Sequence, residues 1–216
     1  MTKNILFQGD SITDALRDRE NFSNAGCGYA TMIEGELGLK HPEKYKFLNR
    51  GIAGNRIADM YARLEKDVIN LKPDYMSILI GSNDAWQEIN YNTGASPEKY
   101  EKLYCMFLEE TKEALPDIKI MILEPFVLKG AGPVKTDEQE DLYPLFRKAI
   151  EKRAEAAYRV AERFSLPFVE LQAKFDSAYN PENPTYWLKD GVHPTAAGHA
   201  LIAREWLNGF EKLNEN

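Results

Sequence analysis

Cysteine is scarce: Cys27 and Cys105 are the only two among 216 residues. Neither has a histidine nearby in sequence, so both are expected to be reduced, structural thiols, Cys27 in a Gly-rich loop and Cys105 on a helical stripe. Histidine is nearly as rare, with His41, His193 and His199 making up the full set of 3. A metal-dependent phosphoesterase using Asp10, Asp84 and His193 would have few of the usual ligands, since only His193 sits in a motif; no metal or cofactor is expected. No stretch approaches the roughly 18 apolar residues of a membrane-crossing helix. The first residues lack the apolar segment and small-residue cleavage site of a secretory signal, so a cytoplasmic location is expected. Lys/Arg clusters are also missing, and the formal net charge is −7. Nucleic acid and anionic membrane surfaces are therefore poor partners, and neutral or cationic small ligands are favoured. There is no internal repeat and no low-complexity segment.

What is present suits one domain over residues 1–216, with 44% hydrophobic and 28% charged residues, enough for a full core. Apolar runs at Asn4–Gln8, Tyr45–Asn49, Tyr75–Ile80, Ile118–Leu123 and Phe168–Leu171 read as strands. Between them, apolar residues at three- and four-residue spacing predict helices over Tyr29–Leu37, over Ile57–Leu71 up to Pro73, from Pro97 onward, and from about Tyr143 to Phe164. The Pro97 helix carries Tyr100, Leu103, Tyr104, Phe107, Leu108, Thr111 and Leu115 on one stripe; the later one turns Leu145, Ala149, Ala156, Val160 and Phe164 inward. Asp14–Ala25 reads as a polar surface loop, and a Gly-rich loop follows Glu124-Pro125-Phe126 as far as Gly132. A helical stretch at Ala173–Tyr179 and a closing helix with Ile202, Ala203, Trp206, Leu207 and Phe210 on one face end the chain. Strand and helix alternate about five times, the pattern of an α/β fold whose parallel sheet is covered by helices on both faces. Ligands of such sheets bind outside the carboxyl ends of the strands.

Four turns at those ends carry chemistry. Ser11, in Gly9-Asp10-Ser11-Ile12-Thr13, sits where the first strand hands over to a helix, close to free N–H groups that favour developing negative charge. Asp10 serves there either as a cap or as a catalytic carboxylate. In Asp190-Gly191-Val192-His193-Pro194, glycine loosens the chain and proline keeps His193 out of a helix. Asp190 can then fold back onto the imidazole and leave Nε2 free for Ser11. Nucleophile, base and orienting acid would then be complete. Donors for an oxyanion are available in the Ser11 N–H, the Gly54 N–H and the Asn83 side-chain amide, with Gly54 chosen for having no Cβ to obstruct approach.

These blocks, with Asn49 to Gly54 and Gly81-Ser82-Asn83-Asp84 between them, resemble the four sequence blocks of the SGNH, or GDSL-type, hydrolases, in the family's order and across nearly the whole chain. Ile12 stands where the named motif has Leu. The resemblance implies a three-layer flavodoxin-like fold with a mostly five-stranded sheet. It also implies Ser11 as nucleophile, His193 and Asp190 completing the triad, and Gly54 and Asn83 in the oxyanion hole. Gly81 to Trp86 is further similar to intracellular acetylxylan and related carbohydrate acetyl esterases, a branch that makes a homo-oligomer plausible. The expected activity is removal of short acyl groups, acetyl first, from a neutral sugar or oligosaccharide through a Ser11 acyl-enzyme. The rivals are a lysophospholipase- or thioesterase-like acyl hydrolase with the same catalytic residues, and a non-catalytic binder on the same fold.

Plainer roles compete at several positions. Asp84, with Gln87 three residues on, resembles a capping box, and Asn83 alone is ordinary turn chemistry. His199 falls near the buried edge of the last helix and reads as structural; His41 reads as a loop residue. Trp86, Tyr186 and Trp187 are either core residues or flat walls for sugar rings or an acyl chain.

Overall fold

The computed structural model describes residues 2–21, 24–130 and 142–215. Five parallel strands, β1 (Lys3–Gly9), β2 (Tyr45–Asn49), β3 (Tyr75–Leu79), β4 (Lys119–Leu123) and β5 (Phe168–Val169), form one sheet in the order β2-β1-β3-β4-β5. Successive side chains of a strand point to opposite faces, and here both faces are buried. Ile5, Phe7, Tyr75, Leu79, Met121 and Leu123 enter one core; Leu6, Met76, Ile78, Ile120 and Ile122 enter the other. Continuous apolar strands are the result, as parallel sheets require.

On the first face lie α2 (Tyr29–Lys40) and α9 (Ala196–Glu215), packed on each other. Trp206 of α9 is fully buried there, stacked on Phe210 and against Phe7. The second face is covered by α3 (Ile57–Ala62), α4 (Leu64–Asp67), α6 (Pro97–Ala114) and the later turns of α7 (Tyr143–Arg163), which contribute Met60, Leu64, Tyr104, Phe107, Ala156 and Val160. Pro97 at the helix start and the Ser96 hydroxyl accepting from Lys99 N set where α6 begins. Short helices α1 (Ser11–Asp14), α5 (Ser82–Tyr91) and α8 (Gln172–Ala178) follow β1, β3 and β5. The strand order reverses between β1 and β3, and an open α/β sheet offers its ligand crevice at that reversal. Ser11 follows one of these strands and Asn83 the other.

Several boundaries differ from the sequence reading. The helix expected over Ile57–Leu71 is divided into α3, α4 and a 3-10 turn at Ile69–Leu71. Its apolar spacing persists, but the ladder lapses at Arg63, whose N–H bonds to Met60 O and whose guanidinium is drawn into the strand-end loops. The last strand pairs only over Phe168–Val169, because the Glu124 carboxylate accepts both Leu171 N and Gln172 N at 2.8 Å and lifts the chain off the sheet into α8. Leu145, expected inward, is exposed; the buried stripe of α7 is Phe146, Ala149, Ile150, Arg153, Ala156, Ala157 and Val160. Asp14 and Arg17, placed by the sequence in a surface loop, are buried. The Gly-rich loop is described as far as residue 130, and the remainder up to Gly132 lies outside the described residues.

Candidate active site

Gly9 ends β1, and Asp10 caps the single turn of α1 by accepting Ile12 N at 3.0 Å through Oδ1. One turn carries little macrodipole, so the local contribution is that of free N–H groups. The Ser11 hydroxyl lies 2.9 Å from His193 Nε2, and His193 Nδ1 lies 2.6 Å from Asp190 Oδ2. The other Asp190 oxygen accepts Val192 N at 2.9 Å and His193 N at 2.8 Å, so one carboxylate fixes both the ring and the backbone bearing it. Gly191 makes this tight return possible with φ of +92°. Lys189 N donates to His193 O, and Leu188 bridges to Pro194, closing the loop into a small hairpin.

Electrostatics follow from these bonds. Partial burial would raise the Asp190 pKa, but hydrogen bonds from the His193 ring, His193 N and Val192 N outweigh it and hold the acid at about 2. The same carboxylate raises the His193 pKa above its ordinary value. Asp10, fully buried beneath Ser11, is pushed by desolvation up to about 6. Asp84, also buried, is pushed the same way to about 7.

Of the donors expected for an oxyanion, Ser11 and Asn83 border the same recess as His193, whereas Gly54 does not line it and is connected to it through Asn55, whose carbonyl accepts the Asn83 amide. Neither the Ser11 N–H nor the Gly54 N–H has an acceptor among the described residues. Asn83 donates through Nδ2 to Asn55 O at 3.0 Å and faces Asp10 Oδ2 at 3.5 Å. The reason for glycine at 54 is conformational rather than spatial: a Cβ there would touch nothing within 4 Å, but φ is +82°. Asp84 is not a cap. Gly81 precedes α5, and the Asp84 carboxylate crosses to accept Ile57 N at 3.1 Å, tying α5 to the loop that carries Gly54. Asp14 accepts Ala53 N, Asn49 donates to Thr13 O, and Arg17 donates to Gly51 O, so the turns after β1 and β2 are bonded side by side.

Ser11, Ser82, Asn83, Trp86, Phe146, Val192 and His193 line a recess of about 140 Å³. The Trp86 ring meets Phe146 edge to face, 5.9 Å between centroids. Tyr186 and Trp187, paired with Trp86 in the sequence reading as substrate walls, do not line this recess. Trp187 borders a separate hollow between α8 and α9, its indole N–H donating to Ala178 O, and Tyr186 is half-exposed against it. Among the described residues no three His, Cys, Asp or Glu side chains converge as metal ligands would, so Asp10, Asp84 and His193 do not form such a group. His199 packs beside Tyr29, accepting Tyr29 N through Nδ1, and burial lowers its pKa to about 4.

Residues 7–201 match the GDSL-like Lipase/Acylhydrolase family. The chain belongs to that family. It is a carboxylic ester hydrolase of the GDSL type. It is 35% identical over 96% of its length to an acetylxylan esterase of Geobacillus stearothermophilus, covering 94% of that protein. The crystal structure of that esterase superimposes with a TM-score of 0.82 at 31% identity, covering 96% of this chain and 93% of the other. Solved catalytic mutants of it replace a serine, an aspartate or a histidine by alanine. A GDSL-like lipase of Parabacteroides merdae superimposes with a TM-score of 0.85 at 36% identity, covering 98% and 97% of the two chains.

Phe146, Asn55 and Arg63 were not singled out by the sequence. Phe146 had a readable signal, since it heads the apolar stripe of α7; the other two are polar residues in or beside a helix and carry none.

Proposed function

We propose that this hydrolase removes acetyl groups from a neutral carbohydrate through an acyl-enzyme on Ser11. The observation that carries the reading is the line of bonds from Ser11 Oγ to His193 Nε2 at 2.9 Å and from Nδ1 to Asp190 at 2.6 Å. His193 takes the Ser11 proton as the hydroxyl attacks the ester carbonyl, and the negative oxygen is received by Ser11 N–H, Gly54 N–H and the Asn83 amide. The imidazolium then returns its proton to the departing sugar oxygen. Water, deprotonated by the same ring, releases the acid and restores Ser11.

Two observations favour a small acyl group on a carbohydrate. A recess of about 140 Å³ is close to a cavity that holds a benzene-sized molecule and well below the ~300 Å³ of larger ligand pockets. The relative from Geobacillus stearothermophilus, similar over nearly the whole chain, is named an acetylxylan esterase.

Nitrophenyl esters from acetyl to dodecanoyl, assayed beside acetylated xylo-oligosaccharides, test the substrate. Turnover should be highest for acetyl and should extend to the oligosaccharides; a maximum at octanoyl or beyond would favour the lysophospholipase- or thioesterase-like alternative. Ser11→Ala should abolish turnover, and a rapid quench of the wild type should show one acyl group added to the Ser11 peptide by mass.

A further inference from the structure

The geometry points to Arg63 as the positioning residue that aligns the oxyanion donors, acting through Asn55. Arg63 occupies the gap between α3 and α4, where the sequence pattern runs on as one helix. Its guanidinium is largely buried, and its donors go to four different places. Nε donates to Asn55 Oδ1 at 2.8 Å; Nη1 donates to Arg50 O at 2.8 Å and Asp67 Oδ2 at 3.0 Å; Nη2 donates to Gly9 O at 3.3 Å. Asp67 lies one helical turn away and anchors the fork, which frees the remaining N–H groups for the loops. One of those acceptors, Gly9 O, ends the strand that presents Ser11. Another, Arg50 O, starts the loop that leads to Gly54.

Asn55 passes this restraint to both donors. It is joined to Gly54 by a peptide bond, and its own carbonyl accepts the Asn83 amide at 3.0 Å. Gly54, at positive φ with open space where a Cβ would stand, sits in a turn closed by Asn55 N donating to Ile52 O and preceded by Ala53 N donating to Asp14 Oδ2. The planar, permanently charged fork of Arg63 adds to that hold through the Asn55 side chain, and the shorter ammonium of lysine does not reproduce it. The placement of donors for a developing oxyanion matters because a shift of about 1 Å costs roughly a hundredfold in rate. This assignment rests on the proposed role of Gly54 and Asn83.

The test compares wild type with Arg63→Lys, Arg63→Met, Asn55→Ala and Ser11→Ala on nitrophenyl acetate and on the thionoester in which sulfur replaces the carbonyl oxygen. Sulfur forms longer bonds and accepts hydrogen bonds weakly, so a well-aligned oxyanion hole prefers the oxygen ester. Misfolding or loss of active protein lowers both rates together and leaves their ratio unchanged. We expect Asn55→Ala and both Arg63 variants to lower kcat by about 10- to 100-fold with KM little changed, and to reduce the ester-to-thionoester ratio. If the Arg63 variants do not fold, Asn55→Ala decides, because it removes one part-buried acceptor and leaves the Asp67 and backbone bonds of Arg63 in place. An unaltered ratio in the folded variants, with Ser11→Ala inactive, overturns the role of Arg63 and leaves the serine mechanism standing. Full activity in Ser11→Ala overturns the mechanism itself, and this inference with it.

Discussion

In the proposed mechanism Asp190 acts on His193 in two ways with opposite consequences for rate. Its hydrogen bond orients the ring, but its charge also raises the imidazole pKa above 6.5. A general base works only when neutral, so activity is lost as pH falls through the raised pKa. The acid limb of kcat/KM should have its midpoint above 6.5, and Asp190→Asn should move that midpoint down while reducing kcat by about 10⁴-fold. A wild-type midpoint at or below the ordinary imidazole value would contradict the geometry. At Gly54 the argument is conformational. Since an alanine Cβ there meets nothing within 4 Å, Gly54→Ala should cost about 1–2 kcal/mol in urea unfolding from the left-handed backbone alone. Its kcat should fall further than that loss explains as the N–H tilts.

At the scale of elements, α5 and α7 together form the apolar wall of the recess through Trp86 and Phe146. Shortening Phe146 to alanine should lengthen the usable acyl chain, raising hexanoyl over acetyl turnover by roughly tenfold, the value of a methylene or two in an apolar pocket. The ester chain-length series measures it. The position of that wall was only half legible in the sequence. Trp86 follows Asn83 by three residues on one helix and was placed near the site; Phe146 was missed because Leu145 fits the same stripe almost as well, and a helix rotated by one residue exchanges the two. β1 to β4 and α6 were read nearly to their ends, since burial on both faces makes β1, β3 and β4 mostly apolar. The break at Arg63 and the early exit of β5 were not readable. Both arise from one partly buried polar side chain, Arg63 or Glu124, bonding to backbone distant in sequence, and periodicity does not register such bonds. Trp187, six residues before His193 and read as either core or substrate wall, borders the hollow between α8 and α9 and does not line the recess.

For the whole molecule, the four-turn convergence was legible because each turn falls at a strand end, and a parallel sheet gathers its carboxyl ends on one rim. Gathering the turns there buries carboxylates as well. Asp10 and Asp84 have folded-state pKa values raised to about 6 and about 7 from a reference of 3.8. An acid that is harder to ionise when folded contributes stability below its unfolded pKa, and that contribution is lost as pH rises through the folded value. The melting temperature should therefore fall between pH 4 and pH 8 on account of these two groups. Asp84→Asn, which keeps an oxygen to accept Ile57 N, should flatten the fall and stabilise the protein at pH 8; a variant with an unchanged slope would show that Asp84 is ionised at little cost. The Ser11–His193 bond joins residues 182 positions apart. During synthesis the serine therefore stays chemically idle until His193, 182 positions later, has been made and the chain between them has folded.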